Sequence, residues 1–365
     1  MKLLLRNLFL IILAGILFLG NLTVYEALVL AFGLQTGQTH LILAVALGLL
    51  SVSFIVSLVI GRKYYNTLTR AFYWFSNIWI GIFSYFFITS LVYAVVALLY
   101  PPFVALGPWL FLASVLISLY GFIHAQQLVT KPVTVTLPHL PSQWKGRKLV
   151  WISDIHIGPL YGAAFAEKIV KHITSLAPDM IFVGGDLYDG TNAPDMTKLS
   201  APLAKLSAPF GVYFITGNHE EYGDLKEFLS IVTTAGMRVL KDELVIVDGL
   251  QLIGVDYRTT AEANAFKEVL AKLPIDSQQA SILLKHEPKD LQVAAEAGIS
   301  FQISGHTHNA QLWPLTYIAD MVHKGYAYGL KRFDTLQVYT SSGTGTWGPP
   351  MRVGTDGEIV LITLQ

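Results

Sequence analysis

Long apolar runs broken by short basic stretches organise the first third of the chain. Residues 7–25, 27–61 and 71–130 contain no Lys, Arg, Asp or Glu. Crossing hydrocarbon takes a helix of ~20 predominantly apolar residues. The pattern therefore predicts four spans, at about 7–32, 41–60, 71–99 and 103–123. Pro101-Pro102 separates the last two, because the pair removes two backbone donors from any continuing helix. Trp74, Trp79, Trp109, Tyr64, Tyr65 and Tyr100 fall near the proposed ends, where amphipathic rings favour the interface.

The basic residues then set an orientation. Lys2 and Arg6 precede the first span, Arg62, Lys63 and Arg70 lie between the second and third, and Lys131, Lys145, Arg147 and Lys148 follow the fourth. The loops 33–40 and 100–102 carry no lysine or arginine. With four spans all three clusters share one side, which the positive-inside rule makes cytoplasmic. A single span within 71–123 would reverse the side of everything after it. Leu8–Phe18 could alternatively be the apolar part of a signal peptide, although no small-x-small cleavage site follows it. Glu26, the one acid before residue 131, is expected near the outer end of a tilted first span rather than at a polar site in the bundle.

From Val133 the texture changes. Lys131–Trp144 reads as a short strand and a proline-rich linker. Short apolar runs then predict strands at 148–153, 180–184, 212–216, 250–255, 282–285 and 301–304. Helical periodicity predicts helices at 163–176, 225–235, 261–273 and 291–297. This alternation indicates an α/β domain with sheets covered by helices. The expected division is 1–130 as a transmembrane bundle, 131–145 as linker and 146–365 as the α/β domain.

Composition narrows the class further. Charged residues make up 14% of the chain, and only six of the 50 precede residue 131. An ordinary soluble protein would hold about 25%. Formal net charge is zero, so no global field draws the chain to nucleic acid. There is no cysteine, which excludes disulfides, thiolate metal sites and thiol nucleophiles.

Polar residues with metal-binding chemistry recur at the predicted strand ends. In order they are Asp154-Ile-His156, Gly185-Asp186-Leu-Tyr-Asp189, Gly217-Asn218-His219-Glu220, Lys285-His286-Glu287 and Gly305-His306-Thr307-His308. Strand ends opening on a crevice are where α/β sheets bind ligands. Glycines before Asp186, Asn218 and His306 allow tight turns and a close backbone approach. Mixed Asp, Asn and His donors suit Mn, Fe or Zn better than calcium. Each motif alone has an ordinary explanation: a surface pair, a turn, or a structural histidine. Five in order at strand ends do not. His40, His124, His139, His172 and His323 match no motif and read as structural.

Together, DIH, GDLYD, GNHE, KHE and GHTH resemble the calcineurin-like metallophosphoesterase superfamily, and the closing SSGTGTWGPPMRVG resembles its bacterial membrane-anchored branch. The resemblance covers about 146–365 and implies two facing mixed β-sheets flanked by helices. It implies two divalent or transition metal ions, one held by Asp154, His156, Asp186 and His308, the other by Asp186, Asn218, His286 and His306. Asp186 would bridge them, and a water between the cations would become the nucleophile. His219 would protonate the leaving oxygen, with the Asp189 carboxylate orienting it; a turn-capping acid is the alternative for Asp189. Gly190 stands where the superfamily's Ser/Thr phosphatases carry a phosphate-clamping arginine, which disfavours phosphoprotein substrates. Arg352 could contact phosphate instead, or be a surface arginine.

The expectation is a membrane-anchored enzyme of the bacterial inner membrane, its catalytic domain in the cytoplasm, cleaving phosphodiester or pyrophosphate bonds. Tethering favours a lipid-linked substrate, of which UDP-diacylglucosamine is an example. The lipid bilayer is the expected partner; no nucleic acid is expected, and no protein partner is inferable. The alternatives are a broad-specificity phosphomonoesterase and a receptor or transporter with a non-catalytic phosphoesterase-like domain. Tyr161, Tyr222 and Trp347 are candidates for shaping the pocket.

Overall fold

The computed structural model describes residues 2–34, 37–61, 64, 66–190 and 196–365. Arg62, Lys63 and Tyr65 of the sequence reading lie outside these. The chain divides into two units by packing, 1–124 with 348–353, and 125–347 with 354–365.

The first unit contains α1 (Lys2–Phe32), α2 (Gln38–Gly61), α3 (Thr67–Leu99) and α4 (Gly107–His124). A short 3₁₀ turn, Pro101–Leu106, precedes α4, so the two prolines start a new helix rather than kink an old one. Four segments are long and apolar enough to cross a membrane: Ile11–Phe32, Gln38–Gly61, Thr67–Leu99 and Pro101–His124. Their apolar side chains face outward as well as inward, as expected where the solvent is lipid. Helix contacts inside the unit use small polar groups: the Ser76 hydroxyl donates to the Ser53 carbonyl at 3.2 Å, and Thr89 and Ser114 share a 2.6 Å hydrogen bond. Glu26 is exposed on α1, six residues from its end.

In the second unit the elements follow as β1 (Leu128–Val135), β2 (Lys148–Ile152), α5 (Ala163–Leu176), β3 (Met180–Val183), α6 (Met196–Ser200), β4 (Val212–Phe214), α7 (Leu225–Thr234), β5 (Arg238–Val239), β6 (Glu243–Val247), β7 (Leu250–Gly254), α8 (Ala263–Lys272), β8 (Ser281–Leu284), α9 (Leu291–Glu296), β9 (Phe301–Ser304), α10 (Thr316–Val322), β10 (Gly329–Phe333), β11 (Leu336–Thr340) and β12 (Gly357–Leu364). They build two six-stranded mixed sheets, ordered β1-β12-β2-β3-β4-β5 and β10-β11-β9-β8-β7-β6. Within the first, β2, β3, β4 and β5 run parallel; within the second, β7, β8, β9 and β11 do.

Alternate residues of each sheet meet in one core. Leu149, Trp151, Met180, Phe182, Val360 and Ile362 come from the first sheet, and Leu250, Leu252, Ile282, Leu284, Phe301 and Ile303 from the second. The intervening residues Ile253 and Leu283 point the other way, onto Phe266 and Leu270 of α8 and Leu291 and Ala294 of α9. Burial on both faces explains why these strands read as unbroken apolar runs.

Two sequence boundaries need correction. The stretch 131–145 is not a linker. Its strand begins at Leu128, pairs in parallel with β12 over eight residues, and places Val133, Val135, Leu137 and Trp144 in the sheet–sheet core. Its prolines masked this: β1 is an edge strand, where a missing N–H at Pro132 is tolerated. Residues 348–353, assigned from sequence to the α/β domain, group with the helical unit. There the Met351 side chain occupies space that Gly81 and Gly121 leave by lacking a Cβ.

Candidate metal centre

Every motif residue leaves the C-terminal end of a parallel strand. Asp154 and His156 follow β2, Asp186 follows β3, Asn218 and His219 follow β4, His286 follows β8, and His306 and His308 follow β9. Facing the two sheets brings both sets of strand ends to one edge of the core.

The ligand atoms converge there in three groups, of which His156, Asp186 and His219 form the one that links the other two. Asp154, His156 and His308 place one donor atom each within 4.8 Å of one another; Asp186, His286 and His306 do the same. Nε2 of His156 lies 3.0 Å from Nε2 of His308, and Nε2 of His308 is 3.6 Å from Asp154 Oδ1. In the other set, Nε2 of His286 is 3.3 Å from Asp186 Oδ2 and Nδ1 of His306 is 2.9 Å from Asn218 Oδ1. Nε2 of His286 also lies 4.0 Å from Asp154 Oδ1, so the sets adjoin.

Backbone and neighbouring side chains hold the donors in place. His286 Nδ1 donates to the Gly184 carbonyl at 2.8 Å, which aims Nε2 at the carboxylates. The His219 N–H donates to Asp186 Oδ1 at 2.8 Å, and the His306 N–H to Asp154 at 3.0 Å. Ser153, absent from the sequence reading, donates its hydroxyl to Asp154 Oδ2 at 2.5 Å. At Gly217 a Cβ would run into the Asp186 carboxylate, so the glycine of Gly-Asn-His is there for space. Asp154, His156, Asp186, His306 and His308 all have φ between 49 and 71°. Left-handed backbone costs non-glycine residues ~1–2 kcal/mol each, and five such residues at one site show a loop geometry set by the cluster rather than by local preference.

The electrostatics suit cations. Burial raises the Asp154 carboxyl; burial is also the largest single effect on Asp186, but His286 and the neighbouring histidines His219 and His156 together hold it well below its ordinary value. Burial alone would depress His286, but Asp186 and Asp154 lift it to about 10. Burial, then neighbouring His219, pushes His156 well down, and burial, then His286, pushes His306 to about 4. Without metal, then, one imidazolium compensates the buried carboxylates, while His156 and His306 stay neutral. Buried carboxylates beside neutral imidazoles are the donor set that divalent transition metals take, so these residues fit such ions.

His219 and Asp189 are brought together, but not as the motif implies. His219 Nδ1 donates to the backbone carbonyl of Asp189 at 3.1 Å. The Asp189 carboxylate instead faces His156, with Oδ1 3.8 Å from Nδ1. His219 Nε2 points to the cluster, 4.0 Å from Asp186 Oδ2. Its ring contacts Tyr222 at 4.9 Å and Trp347 at 5.7 Å, both edge-on and both about half exposed. Tyr161 is buried, hydrogen-bonded to Thr346 and stacked on Phe165, so it does not shape the pocket. Arg352 groups with the helical unit, fully buried, its backbone N–H donating to the Gly121 carbonyl at 3.0 Å. It is not a surface arginine. At Gly190, with φ +71°, a Cβ would meet the His219 carbonyl at 2.8 Å, so no arginine fits that position.

Residues 147–310 match the Calcineurin-like phosphoesterase family, and all seven ligand candidates fall within them. An uncharacterized metallophosphoesterase of Aquifex aeolicus is 31% identical over 265 residues, covering 69% of this chain and 97% of that protein. The chain belongs to the calcineurin-like metallophosphoesterase family. A second metallophosphoesterase relative, from Helicobacter pylori strain J99, is 34% identical over 224 residues, 60% of each chain. A Bos taurus protein described as a transmembrane protein with metallophosphoesterase domain is 31% identical over 275 residues, 70% of this chain and 61% of that one. The match thus spans about 60% of the length of the Helicobacter and Bos relatives.

The metallophosphoesterase motif includes one residue whose role was not legible in sequence. Glu220 is fully buried and accepts backbone N–H groups from Asp186, Leu187, Tyr188 and Gly217 at 3.0, 2.9, 3.2 and 2.7 Å. It clamps the β3 loop to the β4 loop. The motif flagged an acid there, but its N–H donors come from 32 to 34 residues upstream as well as from the adjacent turn.

Proposed function

We propose that this chain is a membrane-anchored, metal-dependent phosphoesterase that hydrolyses phosphodiester or pyrophosphate bonds. One observation carries it: donor groups from strands of two different sheets converge, with Asp186 grouped both with His156 and with His286 and His306. Asp154, His156, Asp186 and His308 would hold one cation, and Asp186, Asn218, His286 and His306 the other. Bound cations supply Lewis acidity at the phosphoryl oxygens and a water of lowered pKa.

The chain's own residues do the rest. His219 has its Nδ1 proton fixed by the Asp189 carbonyl, leaving Nε2 directed into the site to hand a proton to the leaving oxygen. The Asp189 carboxylate acts through His156, orienting a ligand rather than the acid. Glu220 fixes the loops that carry Asp186 and Asn218. Four helices long and apolar enough to cross a membrane support a reaction at the bilayer, which favours a lipid-linked substrate such as UDP-diacylglucosamine. The basic clusters Lys2/Arg6, Arg62–Arg70 and Lys145–Lys148 favour the cytoplasmic face of a bacterial inner membrane.

The test uses the purified full chain in detergent with Mn²⁺ and three chromogenic substrates: bis-p-nitrophenyl phosphate, thymidine 5′-monophosphate p-nitrophenyl ester and p-nitrophenyl phosphate. Hydrolysis of the diesters, about two metals per chain and loss of turnover in chelator are the expected results. Turnover of the monoester alone would make it a phosphomonoesterase. Metal binding with no hydrolysis of any substrate would leave only a binding role.

A further inference from the structure

The helix α10 buries none of its residues. Tyr317, Ile318, Met321 and Val322 are 70%, 53%, 73% and 66% exposed. At 100° per residue these four positions share one face roughly 140° wide, and that face is apolar throughout. Trp313, three residues ahead of the helix, is exposed as well. The one charged residue of α10, Asp320, is paired with Lys331 at 3.4 Å. A helix on a water-soluble domain turns its apolar stripe to the core; α10 does the reverse. Leaving such a face in water is unfavourable in proportion to its apolar area, and contiguous exposed patches mark contact sites.

The occupant is constrained by the rest of the chain. Four apolar spans hold this domain at a lipid surface. The composition of the patch is interfacial: amphipathic rings at Trp313 and Tyr317, aliphatic bulk at Ile318, Met321 and Val322, and exposed Lys324 two residues after the helix, with Lys331 of β10 against Asp320. Basic residues beside an apolar helical face favour anionic headgroups. We propose that the α10 face is a lipid-contact surface, seated at the headgroup–acyl boundary of the bilayer. α10 is close to the metal site at both ends: His308 ends the ligand loop eight residues before it, and His323, directly after it, has its ring 6.3 Å from that of His306. Seating α10 in the interface therefore holds the cluster close to the depth at which a lipid's phosphoester lies. The lipid contact itself does not depend on the catalytic reading.

Because the chain lacks cysteine, Met321→Cys and Tyr317→Cys each create a single labelling site on an exposed position. The full chain, labelled with the fluorophore NBD, is reconstituted in vesicles of phosphatidylcholine and phosphatidylglycerol at 3:1. Ile246→Cys, an equally apolar exposed site on β6, controls for the fluorophore's own affinity for lipid. Shallow doxyl-lipid should quench labels 317 and 321 at least threefold more than 246, with iodide quenching suppressed at both. Ile318→Glu should reduce doxyl quenching at 321. Full iodide access at 317 and 321 without doxyl quenching would overturn the proposal in favour of a solvated face. Protection from iodide without doxyl quenching would overturn it in favour of a protein partner or a second copy.

Discussion

The Glu220 carboxylate accepts the Asp186 backbone N–H at 3.0 Å, so an acid on the β4 loop fixes a residue that belongs to two of the site's donor groups. Its three further N–H donors leave no lone pair free for a metal or a substrate. Burial, followed by the nearby Asp186 charge, raises its carboxyl, an electrostatic cost that the four backbone donors offset.

Glu220→Ala should destabilise the domain by on the order of 3 kcal/mol, since buried N–H groups without acceptors cost ~1–3 kcal/mol each. Glu220→Gln should be nearly as damaging, because an amide NH₂ would confront N–H donors. Thermal unfolding with and without Mn²⁺ measures both. A Gln variant with unchanged melting temperature and metal content would show that the clamp is unimportant.

Metal uptake should release protons. In the metal-free site His286 is protonated up to about pH 10, so at pH 7 it must lose about one proton to become a ligand. Apparent affinity should then rise with pH up to that value, by as much as tenfold per unit. Titration calorimetry in buffers of different ionisation enthalpy counts the protons. The sign for stability is opposite: a folded pKa above the ordinary 6.5 stabilises the metal-free protein fully below pH 6.5, and that contribution is lost as pH rises through about 10.

Asp189 and His219 should separate kinetically. His219→Ala should keep its metals but slow substrates with poor leaving groups by ~10²–10⁴-fold, with nitrophenol esters less affected. Asp189→Asn keeps the carbonyl that holds His219 and alters only the group facing His156. It should lower metal affinity ~10–100-fold while preserving the dependence on leaving group. The same leaving-group loss in both variants would return the orienting role to the Asp189 carboxylate.

The side of the membrane is testable without purification. With four spans, a fluorescent reporter that matures only in the cytoplasm should glow when fused after Gln365. Alkaline-phosphatase activity from the same junction would place the domain outside and exclude a cytoplasmic substrate pool.

Much of this protein is written in one dimension. Twenty-residue apolar runs fix membrane-crossing helices because hydrocarbon satisfies no backbone polar group. α5 at Ala163–Leu176 and β9 at Phe301–Ser304 fall where their local periodicity puts them. The seven ligand candidates were legible because each sits directly after such a run. Other features have no local signal. β1 is an edge strand made by pairing with residues 357–364, more than 220 positions away, and its prolines read as linker until that partner is known. The Asp189 carboxylate faces His156 rather than His219 because three loops fold against one another, and sequence adjacency does not say which neighbour wins. Glu220 shows the same thing from the other side: its residue type was visible in the motif, but its four donors exist only once β3 and β4 lie side by side. Residue types and strand ends are local properties of the chain, whereas which donor meets which acceptor is set by long-range packing.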